Sequence, residues 1–259
     1  MKISLIFPPN IYQTKQSMPP LGIAWLASVL RENGFKNVSL IDSMASRYSN
    51  EEIIDLLKKE EPAIVGISFG TQIRFSAFDL ARLIKNHFPK VPIIVGGPHP
   101  TLTAQDTLEG VPEVDAVVRG EGEISFLNLV RAINNKEDLI NIKGISFRNK
   151  KGEVVHNVNE TPIADLDSLP LPARDLLPME KYEQTTFLSK KRCTSILTSR
   201  GCPYHCVYCS TSEQWGHNIR HRSAKNVVDE IEFLLKEYPF FEGIRFFDDV
   251  FTMDKNRVL

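Results

Sequence analysis

The sequence has no long apolar run. Its first apolar stretch, residues 3–7, is too short for a signal-peptide core and stops at Pro8-Pro9. The helical apolar stretch at residues 21–30 is too short to cross a bilayer. No membrane span is therefore expected, and a cytoplasmic setting is the default. An excess of one charge is also missing. Lys and Arg number 31 against 32 Asp and Glu, a net charge of −1. That balance argues against nucleic acid or another polyanion as the main partner. Cysteine is scarce: the four, Cys193, Cys202, Cys206 and Cys209, lie close together, and none remains elsewhere to staple a fold. Clustered thiols in a chain without an export signal read as a metal or redox site rather than as disulfides. There is no repeat at solenoid periods and no low-complexity segment. What the sequence does have is an apolar content of 42% over 259 residues. That is enough for the core of one large domain or two modest ones.

The first half alternates strand and helix signals. Strands are expected at residues 2–7, 37–41, 64–69, 92–95 and 116–119. Helices are expected at 21–32, from about Ser49 onward, and at 73–87, 101–108 and 123–133. Asn33-Gly34 is a good helix end, and Ser49 with Glu52 spells a capping box. Five βα units in sequence imply a doubly wound parallel sheet with helices on both faces, in a flavodoxin- or Rossmann-like order 2-1-3-4-5. Residues 1–140 are assigned to this domain. Residues 141–193 hold a hairpin turning at Asn149-Lys150-Lys151-Gly152. A linker follows, in which Pro162, Pro170, Pro172 and Pro178 forbid a continuous helix. A second βα pattern fills residues 194–259: a strand at 194–199, a helix from the cap Ser223 to Tyr238, and a strand at 244–247. Asp254 reads as the cap of one more helix.

The chemistry concentrates at Gly201-Cys202-Pro203-Tyr204-His205-Cys206-Val207-Tyr208-Cys209, a C-x₃-C-x₂-C loop after a strand. Three thiolates on one tight loop can hold three irons of a four-iron cubane. The fourth iron then lacks a protein ligand and is open to an exogenous one, whereas ordinary electron-transfer clusters use four cysteines. The competing reading is a non-catalytic Rossmann-like binding module with a Cys₃ zinc site, completed by His205, His217 or Cys193. Zinc sites usually show paired C-x₂-C knuckles, and only one is present. Cys193 itself reads as a small core residue.

These residues resemble the radical S-adenosylmethionine (SAM) superfamily. The resemblance implies a 4Fe-4S cluster on Cys202, Cys206 and Cys209, with SAM chelated at the open iron and cleaved reductively. It implies that the cysteine loop leaves the first strand of a (β/α) partial TIM barrel. Tyr208 matches the aromatic that packs near the adenine. Asp248 and Asp249, at the end of the second strand, match the place of polar groups near SAM, although Phe247-Asp248-Asp249-Val250 departs from the usual Gly-Gly-Glu. An electron donor such as flavodoxin or ferredoxin and a small-molecule substrate are implied as partners.

The front domain resembles the cobalamin-binding domain found ahead of many such barrels. The matching segments are Met18-Pro19-Pro20-Leu21-Gly22, Gly96-Gly97-Pro98-His99-Pro100, Arg119-Gly120-Glu121-Gly122-Glu123 and Asp167-Ser168-Leu169-Pro170-Leu171-Pro172-Ala173-Arg174. In doubly wound sheets the ligand sits at the carboxyl rim. Ser68, Gly70, Gly96, Gly97, Gly120, Glu121 and Gly122 are the candidate cobalamin contacts. The loop after the first strand, Pro8-Pro9-Asn10-Ile11-Tyr12-Gln13, lacks the Asp-x-His-x-x-Gly that supplies a cobalt ligand, so a histidine-free mode is expected. His99 reads as a rim residue. Gly97, on a loop, is expected to accept a large side chain without harm to folding. The implied activity is methyl transfer, ring closure or rearrangement on an unknown substrate. Only one complete barrel unit and part of a second follow Thr194. The chain is therefore expected to be the N-terminal part of such an enzyme, inactive by itself.

Overall fold

The computed structural model describes residues 1–10, 18–186 and 190–259. In chain order the first half gives β1 (Ile3–Phe7), α1 (Leu21–Glu32), β2 (Val38–Asp42), α2 (Ser43–Ser46), α3 (Asn50–Glu60), β3 (Ile64–Ser68), α4 (Arg74–His87), β4 (Ile93–Gly96), α5 (Pro98–Leu102), α6 (Ala104–Gly110), β5 (Ala116–Val118) and α7 (Gly122–Asn135). These are followed by β6 (Ile145–Arg148) and β7 (Val154–His156). The seven strands form one sheet in the order β2-β1-β3-β4-β5-β6-β7. The first five are parallel, in the expected order, and β6 and β7 run antiparallel at the edge. The hairpin thus extends the sheet, Val117 standing opposite Ser146.

The strands are apolar on both faces, as helix-covered parallel strands must be. Ile3, Leu5 and Ile94 point toward α1 and α7, where Ile23, Leu30 and Phe126 pack. Ile6, Val65 and Ile67 point the other way, onto Ile53, Leu57, Leu80 and Ile84 of α3 and α4. The capping box at α3 is formed as expected: the Ser49 hydroxyl accepts from Glu52 N, and Glu52 accepts from Ser49 N. The single helix expected at residues 101–108 is instead two, α5 and α6, broken at Thr103. There the hydroxyl donates back to the His99 carbonyl at 2.8 Å, a bond that competes with the helix.

The Pro-rich connector lies along α1. Trp25 Nε1 donates to the Pro170 carbonyl at 3.1 Å, Ser28 Oγ to Leu171 O at 2.6 Å, and Ala173 N to Ala24 O at 3.0 Å. Beyond it come β8 (Cys193–Ile196), β9 (Ser199–Arg200), α8 (Thr211–Trp215), β10 (Arg220–His221), α9 (Ala224–Glu237), β11 (Gly243–Phe246) and α10 (Lys255–Val258). β8 and β11 pair in parallel across α9, the expected βα unit. The strand expected at 194–199 breaks after Ile196, because Thr198 N and Oγ1 both donate to the Asp248 carboxylate rather than to a neighbouring strand. β9 and β10 pair antiparallel and form the base of the cysteine loop. Among the described residues no helix is long and apolar enough to cross a membrane.

Candidate cofactor site

The carboxyl ends of β3, β4 and β5 open into a crevice. Leu5, Gly66 and Ile94 form its floor, and Ile23, Leu26 and Phe126 one side. Ser68, Gly96, Gly97, Gly120 and Gly122, five of the expected contacts, line it together. The glycines here are closely packed. A Cβ on Gly66 would come within 2.6 Å of Leu5 Cδ2 and take up part of the floor. Gly97 has φ +95°, and a Cβ there would lie 2.9 Å from the Phe69 carbonyl oxygen. A large residue at Gly97 would therefore strain the backbone, contrary to the expectation that this loop position tolerates one. Gly70 does not line the crevice. His99 also turns away from it: Nδ1 meets Thr71 Oγ1 at 3.1 Å, and the ring lies against Phe69 and Phe78. Burial, and then Arg74, lower its pKa, so the imidazole is neutral at pH 7. Part of the segment after β1, residues 11–17, lies outside the described residues.

Glu121 does not line the crevice itself but walls the cavity beside it, and its carboxylate is engaged by arginines. It is buried, as is Glu123, and both face Arg200, which is 2% exposed. Arg200 Nη1 meets Glu121 Oε2 at 3.0 Å and Nη2 meets Glu123 Oε1 at 2.6 Å, while Arg220 Nη2 meets the other Glu121 oxygen at 2.5 Å. Burial by itself would lower the Arg200 pKa, but the two carboxylates outweigh it and hold it above its ordinary value. The guanidinium also lies over two indoles, 5.0 Å from the Trp25 ring centre and 4.9 Å from that of Trp215. Beside the crevice is a polar cavity of about 440 Å³ walled by Thr101, Arg119, Glu121, Thr161 and Ser212. It shares Gly120 and Gln214 with the crevice.

Arg200 immediately precedes Gly201-Cys202, so the same cluster anchors the cysteine loop to the rim. Cys202 is half-buried, Cys206 and Cys209 are exposed, and all are free thiols. Cys202 N donates to Gly216 O at 3.2 Å and Cys209 N to Cys206 O at 3.0 Å. Hydrogen bonds from Thr211 lower the Cys209 pKa and favour thiolate. Thr211 Oγ1 also lies 3.2 Å from Asp249 Oδ1, within reach of its single hydrogen as an alternative acceptor, which brings that carboxylate next to the loop. Partial burial is the main cause that raises the Asp249 pKa, with Asp248 adding to it against the Thr211 bond. Asp248 is engaged by Thr198 and Ser199 instead. Tyr208 is 88% exposed, so its ring has no cover among the described residues. No three His, Cys, Asp or Glu side chains among the described residues are gathered as a metal site. Cys193 is buried in β8, and the rings of His205 and His217 stack on each other at 4.0 Å. Sequence reasoning missed Arg200, Gln214 and Trp215, and named Glu123 only as part of the rim segment at residues 119–123. The only available signal was that the chain has two tryptophans, one of them just past the cysteines.

Residues 10–130 match the B12 binding domain family. They carry a B12-binding domain. The whole chain is similar to an uncharacterized methyltransferase of Pyrococcus horikoshii, 39% identical over 263 residues that cover 100% of this chain and 56% of the relative. An anaerobic magnesium-protoporphyrin IX monomethyl ester cyclase of Rubrivivax gelatinosus is 34% identical over 85% of this chain and 40% of its own. The fold is that of the cobalamin-dependent S-adenosylmethionine radical enzyme OxsB, whose structure holds aqua-cobalamin and S-adenosylmethionine. Its TM-score is 0.81 at 24% identity, over 96% of this chain and 34% of that one. The chain spans about half the length of the curated relatives it matches. Over its whole length the fold resembles that of cobalamin-dependent radical SAM enzymes, of which it spans a part.

Proposed function

We propose that this chain is the cofactor-holding front part of a radical SAM enzyme that works with cobalamin. The reaction would be a methyl transfer, ring closure or rearrangement on a small molecule, with electrons from a flavodoxin- or ferredoxin-type donor. The observation that carries this reading is the Arg200 cluster, which ties a C-x₃-C-x₂-C loop to the rim of a B12-binding sheet.

The crevice suits a large ligand, and the loop supplies the donor type a cluster needs, three free thiols, although they are not gathered around one point in this structure. The crevice has an apolar lining of Leu5, Ile23, Leu26, Ile94 and Phe126, which suits the flat part of a large ligand. The polar cavity beside it offers Thr101, Arg119 and Gln214 to amide-bearing side arms. The loop offers three free thiols, at least one of them biased toward thiolate. When bound, the cluster on Cys202, Cys206 and Cys209 supplies an electron and an open iron for SAM, and cobalamin supplies a methyl carrier. The protein's own task is to keep the two positions in register, and Arg200, Glu121, Glu123 and Arg220 do this as a buried, charge-assisted lattice. Asp249 and Tyr208 stand at the loop as candidate SAM contacts.

Anaerobic reconstitution with iron and sulfide tests the reading. The protein should develop broad visible absorbance from cysteine-to-iron charge transfer. Replacing any one of Cys202, Cys206 or Cys209 by Ala should abolish it, whereas Cys193→Ala should leave it. A stable cluster in the triple variant, or stoichiometric zinc in its place, would overturn it.

A further inference from the structure

The crevice has a wall that the front domain does not supply. Trp215 and Gln214 line it together with the sheet residues, yet they belong to α8, just past the third cysteine. α8 packs on α5 at the rim, and a Cβ added at Gly120 would be in ordinary van der Waals contact with Gln214 O at 3.7 Å. The Trp215 indole has two neighbours that fix it. One is Arg200, whose guanidinium lies 4.9 Å from the ring centre and is itself held by two buried carboxylates. The other is the backbone: the next residue, Gly216, accepts from the amide of Cys202 at 3.2 Å. A half-buried indole beside an apolar crevice, with a guanidinium against its ring, presents a flat aromatic face where a ligand's ring would lie.

We propose that Trp215 is a ligand-contacting wall of the cofactor crevice and that Arg200 is the positioning residue that holds it there. The inference rests on the reading of the crevice as the cobalamin site. It extends that reading by assigning a specificity residue outside the B12-binding domain, on the segment that carries the three thiols. Arg200 suits the task because a guanidinium can stack on an indole and bind two carboxylates at once, which a lysine ammonium cannot.

Titration of the 259-residue chain with hydroxocobalamin, read from the visible corrin bands, tests this. Far-UV circular dichroism on each variant establishes that it is folded. Trp215→Phe keeps an aromatic face and should bind within about threefold of the unsubstituted protein. Trp215→Ala should bind about tenfold more weakly, the scale of one lost aromatic contact. Arg200→Gln should weaken binding as well. Because Arg200 acts through the indole, the Trp215→Ala/Arg200→Gln double variant should be no weaker than the worse of the two single variants. A general loss of stability would instead make the effects add. Unchanged affinity in Trp215→Ala, or fully additive effects, overturns the inference while leaving the cobalamin reading intact. Failure of the unsubstituted protein to bind overturns both.

Discussion

Replacing Glu230 by Gln should destabilise the second unit far more than its one lost charge suggests. Glu230 is 1% exposed on α9 and bridges two buried arginines. Its Oε1 accepts from Arg174 Nη2 at 2.9 Å and its Oε2 from Arg222 Nη1 at 2.5 Å. Arg174 comes from the Pro-rich connector and also donates to Ser195 O in β8 at 2.7 Å, so the triad clamps connector, strand and helix together. Burial lowers the Arg174 pKa, with Glu230 pulling against it, so the site tolerates the cation only with its partner present. A glutamine can still accept from one arginine, but its amide nitrogen then faces the other, donor to donor. Hydrogen-bond loss alone would cost about 1 kcal/mol. Two buried guanidinium groups without a counter-charge should cost about 3–5 kcal/mol. In a chain of this size that lowers the melting transition by roughly 6–20 °C. Thermal unfolding followed by circular dichroism measures it, and if the two units melt separately only the transition of the second should move. Asp229→Asn, one position away in an exposed pair with Lys225, is the control and should give no measurable shift. A melting point for Glu230→Gln within about 2 °C of the unsubstituted protein would refute the argument from uncompensated burial.

Two further outcomes concern the front domain. Gly97→Ala should lower stability by about 1–2 kcal/mol in denaturant unfolding, since it forces a Cβ into a positive-φ position against the Phe69 carbonyl. Asp42 is buried with its carboxylate accepting from Met44 N, Ala45 N and Tyr182 Oη, and burial raises its pKa above the ordinary 3.8 despite those bonds. A raised folded-state pKa means that its contribution is fully present below 3.8 and is lost as pH rises through the higher folded value. The stability difference between the protein and Asp42→Asn should therefore shift against the unsubstituted protein as pH rises from 3.8, and a flat difference would contradict this.

The sequence by itself determined the five parallel strands, most of their helices and the thiol loop. Each of these is written in local patterns: apolar runs of strand length, a Ser49–Glu52 capping box, and three cysteines within one loop. Glycines at strand ends located the rim in the same way, and Ser68, Gly96, Gly97, Gly120 and Gly122 do share one crevice. Tertiary structure decided what depends on partners far along the chain. The edge hairpin joins β5 through backbone hydrogen bonds that no side-chain pattern announces. Asp42 caps the four-residue α2, too short to leave a period, and also meets Tyr182. Glu121 looked like a rim contact because it sits between two glycines. Its side chain is held by Arg200 and Arg220, which lie in a different unit of the chain and which no local pattern points to. Trp215 joined the crevice for the same reason. A buried charge must find its counter-charge wherever the fold places it, and in meeting that requirement Arg200 drew the cysteine segment onto the sheet rim.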